Sequence, residues 1–397
     1  MPLRVVHNAP TWLPQTQTWV HTQVDCIPPE RIENHVVCES TVNLDQFPVR
    51  NLHDFTHAPS IERIWDRGLR KAGIRRHLGY LSRVARATGA GVIHSHFGDV
   101  GWRSLGAARS AGCKHVVTFY GYDMSFLPGI PLWRDRFAEL FAQVDLFLCE
   151  GPHMRGRIVA LGCPEHKVRV HALGVRLQNL PFRPRNWTPG SPLRVLIASS
   201  FSEKKGIPYA IDALGRLSRD IGVEVTLVGE ALRGSAESLA ERNRIMEAME
   251  RSKLAGRIRM TGFLPHAALI REAYDHHVYL APSDTAADGG TEGGAPVSLI
   301  EMAATGMLAV SSRHCDIPSV IVDREGGFLA EERDVEGLVE CLRTAASDAA
   351  AWPGMLTFTR KHIESEFSSI NQGLRLASIY EELARTGRSQ AVRNLRP

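Results

Sequence analysis

Short apolar runs alternate with stretches of helical periodicity along the chain. In the first half the runs are LRVVH near the start, HVVC at 35–38, GVIHSH at 91–96, HVVTFY at 115–120, DLFLCE at 145–150 and KVRVHAL at 167–173. Their alternation with helical patterns predicts βαβ units and a parallel sheet. The texture then changes to GVRLQNLPFRPRNWTPGSP, with prolines at 181, 184, 189 and 192 and no periodicity, which predicts a linker. Beyond it the pattern restarts with LRVLIASS (193–200), EVTLVGE (224–230), RIRMTGF (257–263), HVYLAPS (277–283), MLAVSS (307–312) and GGFLA (326–330). The expected fold class is therefore α/β, with two Rossmann-like doubly wound domains facing a central cleft. The expected boundaries are an N-terminal domain over 1–178, a linker over 179–192 and a C-terminal domain over 193–368. A helix over 369–386 can pack on either domain, and a basic tail over 387–397 is expected to be disordered.

Composition narrows the class. A chain of 397 residues with 44% hydrophobic and 23% charged residues is a soluble globular type, and a formal charge of +4 does not suggest a nucleic-acid binder. The start MPLRVVHNAPTW does not read as a secretory signal and no apolar run approaches the roughly 20 residues of a membrane span, so a cytoplasmic location is expected. The seven cysteines are scattered without a Cys-x-x-Cys pair and read as reduced and mostly structural. One segment, residues 62–86, carries Arg63, Arg67, Arg70, Lys71, Arg75, Arg76, Arg83 and Arg86 among Ile, Leu, Trp and Tyr. It suits either a solvated helix face or peripheral contact with an anionic leaflet at the inner face of the plasma membrane.

The commonest cradles for dinucleotides and triphosphates are missing: no Gly-x-Gly-x-x-Gly follows the first strand and no Gly-x-x-x-x-Gly-Lys-Ser/Thr occurs, which disfavours a dehydrogenase or kinase. Ligands of open α/β sheets nonetheless bind beyond the carboxyl ends of strands. Two such ends stand out. In SSFSEKKGIPYAIDAL (199–214), Lys204 and Lys205 precede Gly206 and a helix starting near Pro208, an arrangement fit for a phosphate or diphosphate. In TEGGAPVSLIEMAATG (291–306), a glycine loop leads to a helix expected over 296–305 on which Glu301 would be the only charge. A buried carboxylate needs donors, and either a ribose diol or an internal ion pair would supply them. In the first domain IHSHFGDVG and TFYGYDMS place His94, His96, Tyr120 and Asp123 at strand ends, as cleft wall or as ordinary structural residues.

With these residues assembled, the chain resembles the retaining glycosyltransferases of family four, which have the two-domain GT-B fold, and is most similar to members that build bacterial exopolysaccharides. HSHFG, TFYGYD, LGCPEHKVRVHALGV, EKKG, LVGE, YLAPSDT and EGGAPVSLIEMAATG occur in the family's order over nearly the whole length. The resemblance implies that Glu301 binds the nucleotide ribose, that Glu292 contacts the transferred sugar and that Lys205 grips the donor diphosphate. It further implies donor contacts from Ser200, Lys204, Gly293, Gly294, Ala295 and Val297. Lys205, Glu292 and His96 are the expected catalytic residues, and His94, His96, Tyr120 and Asp123 the expected acceptor wall. No cofactor and no metal are expected, the partners being a nucleotide-sugar donor and a glycan or lipid-linked acceptor.

The chain departs from the family pattern at four places. Eight residues separate the glutamates where seven are usual, Ser200 stands where an arginine precedes the lysine, Tyr120 replaces a histidine, and Arg176 replaces an aspartate. These leave open a sugar-nucleotide epimerase or hydrolase, and a non-catalytic sugar-nucleotide sensor or assembly subunit.

Overall fold

A computed structural model describes the backbone of residues 1–13 and 18–393 and the side chains of 1–13 and 19–386. The chain divides into two units, residues 1–174 with the stretch from Ser368 onward, and Val175–Phe367.

The first unit carries strands β1 (Leu3–Asn8), β2 (Thr11–Trp12), β3 (Ile32–Cys38), β4 (Ser40–Thr41), β5 (Leu52–Asp54), β6 (Val92–His96), β7 (Lys114–Thr118), β8 (Leu146–Cys149) and β9 (Val168–Val170). Seven form one parallel sheet in the order β5-β3-β1-β6-β7-β8-β9, while β2 pairs with β4. The apolar runs are unbroken because both sheet faces are covered. Val6 and Ile93 pack with Leu81, Val84 and Ala107 on one face. On the other, Val5, Val92 and Val116 pack with Leu376, Ala377 and Tyr380 of the final helix, Ser369–Arg393. That helix thus belongs to the first unit, a choice the sequence leaves open. It also runs through 387–393, where disorder was expected, and 394–397 lie outside the described residues.

The second unit carries β10 (Leu193–Ala198), β11 (Val223–Val228), β12 (Ile258–Gly262), β13 (Val278–Ala281), β14 (Leu308–Ser312) and β15 (Phe328–Ala330), all parallel in the order β12-β11-β10-β13-β14-β15. The strand order reverses between β10 and β13, so the loops after these two strands open side by side at the switch point.

The stretch expected to be a linker, 179–192, is packed onto this second unit. Leu180 and Trp187 are buried, the latter among Leu193, Val195 and Leu217. Arg183 and Arg185 donate backbone N–H bonds to Thr305 and Gly306 carbonyls at 2.9 Å. Gly306 has φ +86°, and a Cβ there would stand 2.8 Å from the Arg183 carbonyl carbon, so this position both ends a helix and admits the strap. The Arg185 side chain, buried, donates to the carbonyls of Ala273, His276 and Thr305.

Candidate active site

After β10 the chain turns through a short helical turn, Glu203–Lys205, into the helix Ile207–Leu217. Gly206 closes that turn at φ +62°, where a Cβ would collide with the Pro282 carbonyl oxygen at 1.9 Å. Only glycine lets the loops after β10 and β13 approach so closely. Both lysines of the turn reach across to the glycine loop. Lys204 Nζ donates to the Thr291 carbonyl at 2.9 Å, and Lys205 Nζ lies 2.8 Å from Glu292 Oε1.

Glu292 is the best-connected carboxylate of this cluster. Its side chain is 7% exposed and also accepts from Ser283 Oγ at 2.9 Å. Burial alone would push its pKa up, but the Lys205 and Lys204 ammonium groups outweigh it and hold the carboxyl below its ordinary value. The Glu292 backbone N–H donates to His314 Nε2 at 3.1 Å, which leaves Nδ1 as the protonated nitrogen facing Glu332 Oε1 at 2.7 Å. Ser283 follows β13, and His314 follows β14, so three successive strand ends of the sheet hold Glu292, two at its carboxylate and one at its backbone N–H. A small cavity beside it is lined by Ser199, Lys205, Tyr279, Ser283, Pro296 and Ser298.

Glu301 lies on the helix Val297–Ala304, one residue shorter at each end than expected, with Pro296 at its N-terminal cap and buried Leu299, Ile300, Met302 and Ala303 beside the glutamate. Glu301 is the only charged residue of this helix, as expected, and it has the internal ion-pair partner left open beside the ribose reading. Glu301 Oε1 lies 3.0 Å from Nε2 of the half-exposed His266, whose pKa is raised by that hydrogen bond. Gly293 and Gly294 are buried, Gly293 at φ +82°, while Ser200, Ala295 and Val297 are half-buried around the same loops.

The first unit gathers the other expected site residues into a buried polar network. His7 Nδ1 lies 3.2 Å from His96 Nε2, His96 Nδ1 lies 2.8 Å from the Tyr120 hydroxyl, and His94 is held by Tyr380 and Thr118 hydroxyls at 2.6 Å. His7 on β1 and His94 and His96 on β6 flank the strand pair where this sheet's order reverses. Burial lowers the pKa of His7 to about 4 and those of His94 and His96 well below the ordinary value, so the three rings are neutral near pH 7. Their ligating atoms lie within 4.8 Å of one another, the one such trio able to hold a metal ion among the described residues. All six ring nitrogens nevertheless have hydrogen-bond partners, Asn34 Oδ1 completing the set on His7.

Asp123 departs from its expected place on an acceptor wall. It is fully buried, and its two carboxylate oxygens accept the backbone N–H groups of Gly98 and Tyr120, each at 2.7 Å. Both oxygens are spent on clamping two strand-end loops together, and burial raises its pKa to about 8.

Sequence reasoning missed Ser283, His314, Glu332 and His266. Ser283 falls within the YLAPSDT motif, to which the sequence reading assigns no role; the others are signalled only by position, His314 just past a strand end and His266 opening the helix after β12.

Two doubly wound units, with an anion-suited strand-end site in the second, make up the GT-B architecture. The chain belongs to glycosyltransferase family 4: the family described as "Glycosyltransferase Family 4" matches residues 16–179, and the family described as "Glycosyl transferases group 1" matches residues 192–348. The amylovoran biosynthesis glycosyltransferase AmsK of Erwinia amylovora is 31% identical over 299 residues, 74% of this chain and 71% of that protein. The putative colanic acid biosynthesis glycosyltransferase WcaL of Escherichia coli K12 is 29% identical over 76% of this chain and 73% of that protein. Among solved structures, the sucrose-phosphate synthase of Thermosynechococcus elongatus shares the fold with a TM-score of 0.74 at 15% identity, over 97% of this chain and 100% of that one. Anabaena HepE, solved with UDP and glucose, gives 0.73 at 14% identity, over 96% and 100%. No helix among the described residues is long and apolar enough to cross a membrane.

Proposed function

We propose that the protein transfers a hexose-type sugar from a nucleoside-diphosphate sugar to a hydroxyl of a glycan or lipid-linked acceptor, with retention of configuration and without a metal, in cell-surface or exopolysaccharide synthesis. The observation that carries this reading is the convergence of Lys204, Lys205 and buried Glu292 at the β10/β13 switch point. A diphosphate entering there meets two ammonium groups already held by oxygen acceptors that it can replace, a preorganised counter-charge for the leaving group. In this reading Glu301 receives the ribose hydroxyls in place of His266, and Glu292 faces the sugar. The relatives named for amylovoran and colanic acid synthesis support the exopolysaccharide setting, and the fold shared with a UDP-bound protein makes UDP sugars the first donors to try. The reading also includes a peripheral contact with the inner face of the plasma membrane.

The test is donor turnover with and without saccharide or polyprenyl-linked acceptors, followed by NMR of an early product. Acceptor-dependent release of nucleoside diphosphate with the donor's anomeric configuration in the product supports the reading. Equal donor consumption without acceptor points to a hydrolase or epimerase, and an inverted anomer refutes retention.

A further inference from the structure

Within the basic segment, the helix Ser60–Lys71 presents an unusual outer face. Ile61, Ile64, Trp65 and Gly68 recur at i, i+3, i+4 and i+7, so they share one stripe. Ile61 is 69% exposed, Ile64 70% and Trp65 66%, and Ile74 just beyond the helix is 74% exposed. Isolated exposed apolar side chains are ordinary, but three in one stripe on one helix are not.

The charges sort by face. Four of the eight basic residues counted from the sequence are spent inside the unit: Arg70 on Glu39 and Asp66, Arg75 on Asp66, Arg76 on Glu139 and Arg83 on Glu62. These pairs also consume both acids of the helix, Glu62 and Asp66. Arg67 and Lys71, one helical turn apart and adjoining the apolar stripe, have no ion-pair partner among the described residues. The outward face is therefore apolar with a cationic margin and no free carboxylate, the pattern that lies in the headgroup region of an anionic bilayer.

We infer that the helix Ser60–Lys71 is a membrane-docking element, inserting Ile61, Ile64 and Trp65 into an anionic lipid surface while Arg67 and Lys71 contact lipid phosphates. This deepens the proposed peripheral contact and moves it from the whole basic segment to one helix face. A tryptophan with an apolar body and a polar N–H suits that depth, and the two cations add roughly fivefold each to partitioning.

The test is co-sedimentation of the full chain with vesicles of phosphatidylcholine alone and of phosphatidylcholine mixed with phosphatidylglycerol. The wild type is expected to sediment with the mixed vesicles only, and less so as salt rises. Ile64→Glu with Trp65→Glu should stay in the supernatant. Arg67→Glu with Lys71→Glu should bind at least about 25-fold more weakly. Because these side chains are exposed, both variants should keep the wild-type Tm and its shift with nucleotide, so loss of lipid binding is separable from failure of the donor site. Wild type that ignores anionic vesicles, or an Ile64→Glu/Trp65→Glu variant that sediments equally, overturns the assignment. So does a wild-type dimer that this variant dissociates, which would give the face to a second copy of the chain.

Discussion

Lys205 Nζ lies 2.8 Å from Glu292 Oε1 although the residues are 87 apart in sequence. The contact joins the loop after β10 to the loop after β13, so each partner supports the fold as well as the proposed chemistry. Lys205→Ala removes the closest counter-charge from a buried carboxylate and should cost roughly 3 kcal/mol of stability. Removing one preorganised charged donor should also reduce turnover by about 100-fold or more. Glu292→Gln at neutral pH leaves no buried anion but abandons the Lys205 ammonium. Glu292's pKa is depressed, so the pair's stabilisation is present above the ordinary carboxylate value of 4.5 and is lost as pH falls through the lower folded value. Urea denaturation of the wild type and both variants at neutral and acidic pH, beside donor-turnover rates, checks these statements together.

His266 reports on Glu301. The carboxylate raises the pKa of the half-exposed imidazole above its ordinary 6.5, so His266 should titrate high in the wild type and return toward 6.5 in Glu301→Gln. Proton NMR of the imidazole resonances measures this directly. A bound nucleotide that takes over Glu301 should lower the His266 pKa in the same way, which ties the titration to occupancy.

The histidine network makes the first unit sensitive to acid. His7, His115 and His171 are buried with pKa values lowered to about 4, so the unfolded chain binds more protons than the folded one between about pH 6.5 and 4. Their stabilisation is complete above 6.5 and falls as pH drops, by about 1.4 kcal/mol per pH unit for each independent histidine. Amide exchange should show β1, β6 and β7 opening more readily as pH falls from about 6.5 toward 4. Replacing His115 by Gln should flatten that dependence.

Much of the fold is legible in the sequence for one physical reason. Strands covered on both faces read as Val, Leu and Ile runs, and all twelve runs became the strands β1, β3, β6 to β9 and β10 to β15. The strands β2, β4 and β5 are two or three residues long and leave no pattern. The final helix shows an apolar stripe at Leu376, Ala377 and Tyr380, but a stripe does not name its partner. The site divides similarly. Lys204, Lys205 and Glu292 stand in motifs beside glycines, whereas Ser283, His314 and Glu332 are single residues in three loops that only the order β10-β13-β14-β15 brings together. Asp123 was misread because a carboxylate near a glycine suits a ligand contact and a backbone clamp equally well in one dimension.

Arg185 shows what composition hides in the strap. Burial lowers its pKa to about 10, yet its guanidinium donates to carbonyls of four residues, Arg183, Ala273, His276 and Thr305. Arg185→Met should strand those acceptors and destabilise the second unit by roughly 2–4 kcal/mol, read as a lower urea midpoint.

The central claim, that the β10/β13 strand ends hold the nucleotide of a sugar donor, is tested most directly by thermal shift. UDP, GDP, ADP, CMP and their sugars would be added to the wild type, Glu301→Ala and Lys205→Ala. A nucleotide at 100 times its Kd should stabilise the wild type by about 2.7 kcal/mol. The account predicts that one nucleotide family raises the wild-type Tm and that both substitutions abolish the shift. No shift with any nucleotide, or an equal shift in both variants, would contradict it.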